Sequence, residues 1–191
     1  MDFFEELDNK IKFCSLCNLK QIPVNIIPVK NGENLKSKVM FVGLAPSVYN
    51  HTEFVFIEEN YATNKILMTA LESIGLKRND VYVTNLVKCS TENNIMPLLT
   101  TIKNCKKYLL EEIKLVQPIL IVTMGKDVSS EFSCDTGKFT KFLDYDVYSI
   151  PHPSYCARKP NEMNLFIKHF YIIQEFLNNH KLRTKSLNNF R

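Results

Sequence analysis

The chain has 191 residues, of which 45% are hydrophobic and 23% charged, an ordinary composition for a globular protein with a sizeable core. No apolar run approaches the length of a membrane span, and the acidic, amphipathic N-terminus is unlike a secretory signal. We therefore expect an intracellular protein, in the cytoplasm or with the DNA of a nucleoid or nucleus. The net charge of +4 is mild, but residues 180–191 carry several cations and no acid. That stretch is predicted to be a solvated helix end, with a weak nucleic-acid contact as the alternative.

Apolar strand patterns alternate with amphipathic helix patterns along the chain. Strands are predicted at 38–43, 80–86, 119–125 and 146–154. Helices are predicted at 3–13, 64–75, 96–118, 126–132 and 161–179, and the segments 19–34 and 44–62 are predicted to be irregular. Strands that alternate with helices form parallel sheets covered on both faces. We predict an α/β fold, a three-layer α/β/α arrangement around a central four-stranded, mainly parallel sheet, in a single domain over 1–191.

Six cysteines in a chain without a secretory signal suggest metal binding or catalysis rather than disulfides. Four of them could join the N-terminal segment 1–36 to the core through one metal group: Cys14, Cys17, Cys89 and Cys105. Structural zinc and a four-cysteine iron–sulfur cluster both suit these ligands, and the spacing does not choose between them. The alternative is that Cys89 and Cys105 are ordinary buried cysteines. Cys134 and Cys156 stand apart and are predicted to be free thiols.

Three strings occur in order along the chain: VMFVGLAPS at 39–47, VYVTNLVKC at 81–89 and IPHPSYCAR at 150–158. Together with the four-cysteine pattern they resemble the site motifs of the iron–sulfur uracil-DNA glycosylases, families four and five. The resemblance implies a monofunctional glycosylase of base excision repair. Such an enzyme flips uracil out of DNA, hydrolyses its N-glycosidic bond and leaves an abasic site. It also implies a structural 4Fe-4S cluster on the four cysteines, with zinc as the alternative.

The strings lie in loops at the carboxyl ends of predicted strands, where α/β sheets build their ligand sites. A base pocket needs a floor close to the backbone, and the small or rigid residues of the first loop suit one. These floor residues are Gly43, Leu44, Ala45 and Pro46, although the same string also suits a plain strand-to-helix turn. By resemblance, Phe54 stacks on the base, and a core phenylalanine is the alternative.

Two polar residues are the main candidates for reading and releasing the base. The amide of Asn85 can donate to uracil O4 and accept from N3–H, whereas cytosine presents the opposite pattern. His152 can donate to O2 of the departing uracil anion, as an oxyanion-hole donor does. Each also has a purely structural alternative: Asn85 could be an ordinary turn residue, and His152 could be a structural histidine. The resemblance favours the functional roles.

The third string also supplies the predicted DNA contacts. Ser154 is expected to touch a phosphate, Tyr155 to help fill the gap left by the flipped base, and Arg158 to contact the backbone or stabilise the loop. The expected partner is uracil-containing DNA, bound by a monomer without any membrane contact.

One part of the family pattern is missing. Family-four proteins usually carry a glutamate after the first glycine of the first motif, where this chain has Leu44. Glu53 is taken as the catalytic water-handling residue, with Glu58 and His51 as further candidates, and Phe56 replaces an expected glycine. These departures leave the rate and the substrate range open.

Two other functions compete with the leading one. A non-catalytic DNA-binding relative would keep the fold, the cluster and the pocket but would not excise the base. The third hypothesis belongs to another functional class: an α/β protein that is cross-linked by structural zinc and binds a small nucleotide. Because these motifs hold no well-placed lysine nucleophile, no strand cleavage is expected from the glycosylase.

Overall fold

The computed structural model of the protein describes residues 3–21, 36–47 and 61–188. The described helices are α1 (Phe3–Lys12), α2 (Ala62–Glu72), α3 (Leu99–Val116), α4 (Lys126–Glu131), α5 (Pro153–Arg158) and α6 (Met163–Asn188). The described strands are β1 (Val39–Gly43), β2 (Tyr82–Asn85), β3 (Leu120–Met124), β4 (Phe139–Phe142) and β5 (Tyr145–Ile150). They form one sheet in the order β2-β1-β3-β5-β4. This is an α/β fold, as predicted.

The sheet is parallel from β2 through β5, and β4 pairs antiparallel with β5 at one edge. The prediction of four strands was wrong in number, because it missed β4. Its burial alternates between exposed and half-buried, so it lacks the apolar run that marks the central strands. The turn into β5 holds Leu143 at a φ of +52°, without the Asn-Gly or Asp-Gly pair that typically announces a hairpin.

Helices cover both faces of the sheet, and alternate residues of each strand enter different cores. Phe41 of β1 packs in a cluster with α2 and α6, and its ring stacks on Phe170 with centroids 5.9 Å apart. Its neighbour Met40 lies in the second cluster, which α1, α3 and α4 complete. The three layers that the alternation predicted are therefore present.

Helix α1 lies on α3. Its buried residues are Phe4, Leu7 and Ile11, a stripe at helical spacing that faces the second cluster. The predicted irregular segments 19–34 and 44–62 fall mostly outside the described residues. Across the described ranges, we find no helix both long and apolar enough to span a membrane.

The remaining predicted elements agree with the structure apart from their ends. Helix α3 begins at Leu99, later than predicted, and ends with Gln117 in a left-handed conformation just before Pro118. The fourth predicted strand stops at Ile150, and residues 153–158 form α5 instead of a loop. Proline at the first helical position and a capping residue before it explain this helix start.

Candidate active site

A cleft of about 950 Å³ opens at the carboxyl ends of the parallel strands. The chain runs from β1 to β2 on one side and places β3 on the other, so the cleft lies where the strand order reverses. Residues that directly follow β1 and β5, together with the last residue of β2, line it. They include Leu44, Ala45, Pro46, Asn85 and His152. The predicted loops therefore meet at one site.

Two strand ends approach each other closely where Asn85 lines the cleft. Gly43 ends β1 and is in register with Asn85, which ends β2. A Cβ on Gly43 would lie 2.5 Å from Asn85 Oδ1, so only glycine leaves room for the carboxamide in this position. Asn85 is 3% exposed, and its amide can donate to a carbonyl and accept from an adjacent N–H at the same time.

The ladder between β1 and β2 continues past the strand ends. The backbone N–H of Leu86 donates to the Gly43 carbonyl, and that of Val87 donates to the Leu44 carbonyl, both at 2.8 Å. These bonds fix the main chain that leads into Ala45 and Pro46. The Leu44 side chain is half-buried and packs against the cluster beneath α1 and α3. The first loop therefore offers backbone and apolar surface to the cleft, and no acid at Leu44.

His152 faces the cleft from the start of α5. The Ser154 backbone N–H donates to its Nδ1 at 3.1 Å, and Ser154 Oγ lies 2.8 Å from the same nitrogen. Burial, reinforced by the nearby Arg158 cation, lowers the pKa of His152 to about 4. The ring is therefore neutral at pH 7. Since Nδ1 accepts a hydrogen bond, the proton lies on Nε2, which can serve as a neutral donor inside the cleft.

Gly125 is a site residue that the sequence analysis missed. It follows β3, has a φ of +98°, and an added Cβ would lie 3.3 Å from His152 Cβ. Its backbone N–H donates to the Ile150 carbonyl at 2.9 Å, which joins the ends of β3 and β5. Glycine thus permits His152 to lie close to β3. The signal was a glycine at the carboxyl end of a buried strand, the same signal that identified Gly43.

The three predicted DNA contacts also line the cleft. Arg158 is exposed, and its Nη1 donates to Ser154 Oγ at 3.3 Å. Lys159 Nζ lies 5.1 Å from the ring centroid of Tyr155. Lys126 also lines the cleft, so at least three described cations lie in or next to it. The Ser154 hydroxyl is engaged with His152 and Arg158.

Several predicted residues lie outside the described part of the chain, namely Glu53 and Phe54, with His51, Phe56 and Glu58. Among the described residues that line the cleft, two carry carboxylates, Asp127 and Glu162. The sequence analysis had not singled these out. Asp127 lies two residues after Gly125, again at the carboxyl end of a strand, and that position was the available signal.

The four predicted ligand cysteines, Cys14, Cys17, Cys89 and Cys105, line one small cavity beneath α1 and α3. The Lys88 backbone N–H donates to Cys105 Sγ at 3.2 Å, and burial raises the pKa of the Cys105 thiol. Cys134 and Cys156 are buried elsewhere and have free thiols. The cavity therefore collects cysteines from α1's end, from the segment after β2 and from α3.

Throughout the described ranges, no group of three or more His, Cys, Asp or Glu side chains is arranged to hold a metal ion. Four thiolates suit structural zinc and an iron–sulfur cluster alike, so both alternatives of the sequence analysis stay open.

A family model described as the Uracil DNA glycosylase superfamily matches residues 29–174. The chain belongs to this superfamily. A type-4 uracil-DNA glycosylase of Sulfurisphaera tokodaii is 31% identical over 92% of this chain and 85% of its own length. A type-4 uracil-DNA glycosylase of Archaeoglobus fulgidus is 33% identical over 66% of this chain, and the match covers only 61% of that relative.

A solved structure of similar shape supports the fold. The crystal structure of Pedobacter heparinus SMUG2 superposes with a TM-score of 0.56 at 10% identity, covering 94% of this chain and 99% of that one. All three site strings fall within the part of the chain that matches the uracil DNA glycosylase superfamily, whereas Cys14 and Cys17 precede it. The resemblance inferred from the strings is confirmed at the level of the superfamily.

Proposed function

We propose that this superfamily member is a monofunctional uracil-DNA glycosylase that flips uracil out of DNA, hydrolyses its N-glycosidic bond and leaves an abasic site. The observation that carries the proposal is that one cleft is lined both by the Asn85 amide, which can donate and accept, and by the His152 ring, whose Nε2–H can donate. The names of the similar type-4 uracil-DNA glycosylases support the same activity.

Recognition of the base rests on Asn85 in this proposal. Its amide N–H donates to uracil O4 and its carbonyl accepts from N3–H. Cytosine would set donor against donor and acceptor against acceptor, and would leave buried polar groups unpaired. Gly43, Leu44, Ala45 and Pro46 form the floor, and Phe54 stacks on the ring.

Bond cleavage uses His152 as the donor to the leaving group. As the bond between C1′ and N1 breaks, its electron pair leaves with uracil, and negative charge grows on O2. The Nε2–H of neutral His152 stabilises that charge, and a pre-oriented donor costs no reorganisation. Water then adds to C1′, and the proton that it loses passes to the water-handling residue and from there to solvent.

One or more acidic or imidazole side chains are candidates to orient this water. Glu53 is our first candidate, with Glu58 and His51 beside it, and the cleft adds Asp127. Each acid is tested by its amide variant, Glu53→Gln, Glu58→Gln or Asp127→Asn. Loss of the water-handling residue should slow the release of uracil without weakening DNA binding, and a variant with full activity is removed from consideration.

In this proposal the residues of α5 and the lysine that follows it bind the DNA backbone. Arg158 and the neighbouring Lys159 offer positive charge to phosphates at the mouth of the cleft, which favours DNA of any sequence. Ser154 and Tyr155 complete the contact. We propose that one copy of the chain binds uracil-containing DNA as a monomer.

A 4Fe-4S cluster is the cofactor we propose for the cysteine cavity. Cys14, Cys17, Cys89 and Cys105 would hold it, and it would supply structural cross-linking between the N-terminal segment and the core. Metal-binding free energy is also folding free energy in such sites. Brown protein that contains iron and acid-labile sulfide supports the cluster, whereas colourless protein with bound zinc supports the zinc alternative.

The function is tested with a labelled oligonucleotide that carries one uracil, incubated with purified protein and then treated with alkali. Cleavage at the uracil, absent without alkali, is the expected result. Asn85→Ala and His152→Ala should lose most of it. His169→Ala is the matched control, because His169 also lines the cleft but bonds Tyr148 at 2.8 Å. Strong cleavage before alkali would contradict a monofunctional enzyme.

Leu44 favours a second candidate function, a relative that recognises uracil or damaged bases without excising them. Its apolar side chain stands where family-four proteins usually carry a glutamate. Tight binding to uracil-containing DNA with no release of uracil, in brown protein, would establish this candidate and overturn the first.

A further inference from the structure

A buried ion pair lies directly behind the end of β2. Lys88 and Glu112 have side chains that are 3% and 1% exposed, and the ammonium bonds a Glu112 carboxylate oxygen. The other two donors of Lys88 Nζ go to Thr84 Oγ1 at 2.8 Å and to the Asn85 carbonyl at 2.7 Å. All three N–H groups of the ammonium are therefore used.

The carboxylate is held equally firmly. Tyr82 donates its hydroxyl to Glu112 at 3.2 Å, and the Thr84 hydroxyl lies 3.0 Å from both carboxylate oxygens. Tyr82 and Thr84 belong to β2, and Glu112 to α3. The network thus ties the strand that ends in Asn85 to the helix that carries Cys105.

Stability alone is a weak reason for this pair. Removing two charges from water costs several kcal/mol per ion, and apolar residues of similar volume often replace a buried pair without loss. The geometry indicates another use. β2 is an edge strand of the described sheet, and Lys88 supplies a donor to the last carbonyl of its edge. The carboxamide of that same residue faces the cleft.

Lys88 also reaches the cysteine cavity through its main chain, which donates to Cys105 Sγ. One residue therefore contacts the proposed base reader with its side chain and a proposed cluster ligand with its backbone. We propose that Lys88, held in an ion pair with Glu112, is a positioning residue. It fixes the Asn85 main chain and thereby orients the Asn85 carboxamide toward the base. This inference rests on the proposed function, in which Asn85 reads uracil.

The test replaces the pair by apolar residues, Lys88→Met together with Glu112→Leu. We expect a folded protein with a melting temperature close to wild type, because neither charge is left alone. Single-turnover release of uracil should fall about 100-fold, the scale of effect of a small misplacement of a reacting group. Binding to a duplex with thymine in place of uracil should not change, since phosphate contacts remain.

The control is the Lys–Glu pair that joins α3 to α4. Lys106 Nζ lies 3.0 Å from Glu131 Oε2, and neither residue lines the cleft. Lys106→Met with Glu131→Leu should leave the rate of uracil release unchanged. A merely structural role for Lys88 predicts that its folded double variant releases uracil at the wild-type rate, and that result overturns the inference.

Two further measurements cover the other outcomes. If the double variant does not fold, Thr84→Val removes the hydroxyl between the two charges in a shape that suits a strand. It should slow uracil release several-fold at unchanged DNA affinity, and a wild-type rate overturns the inference.

If wild-type protein releases no uracil, the proposed function fails, and the positioning role is then tested by the NMR signals of the Asn85 side-chain amide. They should shift in the double variant and stay in place in the control, and an unchanged Asn85 amide overturns positioning by Lys88.

Discussion

At the scale of single residues, the distance that most constrains the cleft is the 2.5 Å between Asn85 Oδ1 and the place where a Gly43 Cβ would stand. Gly43→Ala should push the Asn85 carboxamide aside and slow uracil release about 100-fold, with little change in melting temperature. Single-turnover kinetics and thermal unfolding measure the two effects.

Gly75→Ala is the control for that substitution. Gly75 has a φ of +74°, and a Cβ added there would meet open space, so alanine costs about 1 kcal/mol of backbone strain and creates no clash. It should lower stability without slowing the reaction. A Gly43→Ala protein with the wild-type rate would show that Asn85 tolerates displacement.

The neutral His152 sets the expected dependence on pH. Because its folded pKa is about 4, the rate should show no break near the ordinary histidine value of about 6.5. The pH–rate profile measures this, and nitrogen NMR should show the proton on Nε2 at neutral pH. A break near 6.5 that disappears in His152→Gln would contradict a neutral donor.

The same shift has a consequence for stability. Between pH values of about 6.5 and about 4 the unfolded chain binds a proton at this position while the folded chain does not. Stability conferred by neutral His152 is therefore present above that window and falls as the pH falls through it. Burial also lowers the pKa of His169, which adds an effect of the same sign, so the wild type must be compared with His152→Gln.

At the scale of elements, the cysteine cavity should decide how firmly α1 is held. Cys17→Ala is expected to give colourless protein with a lower melting temperature and faster amide exchange in α1, because the cross-link to α3 is lost. Cys134→Ala is the matched control, since Cys134 is buried away from the cavity and should keep the colour. Colourless Cys17→Ala protein of unchanged stability would refute the structural role.

The strands that the sequence predicted and the strand that it missed differ in how far they are buried. β1 and β3 could be predicted because they are buried along their whole length and therefore appear as apolar runs. β4 is a half-exposed edge strand that is defined by its pairing with β5. Residues at carboxyl ends of strands, such as Asn85 and His152, could be placed by topology alone. Contacts between distant residues could not.

The pairing of Lys88 with Glu112 shows that limit. Glu112 interrupts the apolar stripe of α3 beside Leu109 and Ile113, a signal that a buried acid was present. The partner lies 24 residues earlier, and no local pattern names it. Packing of α3 on β2 creates the pair, so only the tertiary structure reveals it.

At the scale of the whole molecule, one core joins the N-terminal segment to the sheet. Leu7 and Ile11 of α1 lie in the same cluster as Met40 and Ile121 of the sheet. We therefore expect the protein to unfold in a single cooperative transition, as the prediction of one domain over 1–191 requires. Denaturant titration followed both by far-ultraviolet circular dichroism and by the absorbance of the cofactor should give coincident curves.

Leu7→Ala tests this unity most directly. The side chain is 1% exposed, so its truncation should cost about 2–5 kcal/mol and move both curves together. Phe13→Ala is the control, because Phe13 is 76% exposed and its loss should change stability by about 0.5 kcal/mol at most. If Leu7→Ala instead separated the curves, with the cofactor signal lost first, residues 1–36 would be an appended unit. The cysteine cavity would then hold together two parts that fold separately.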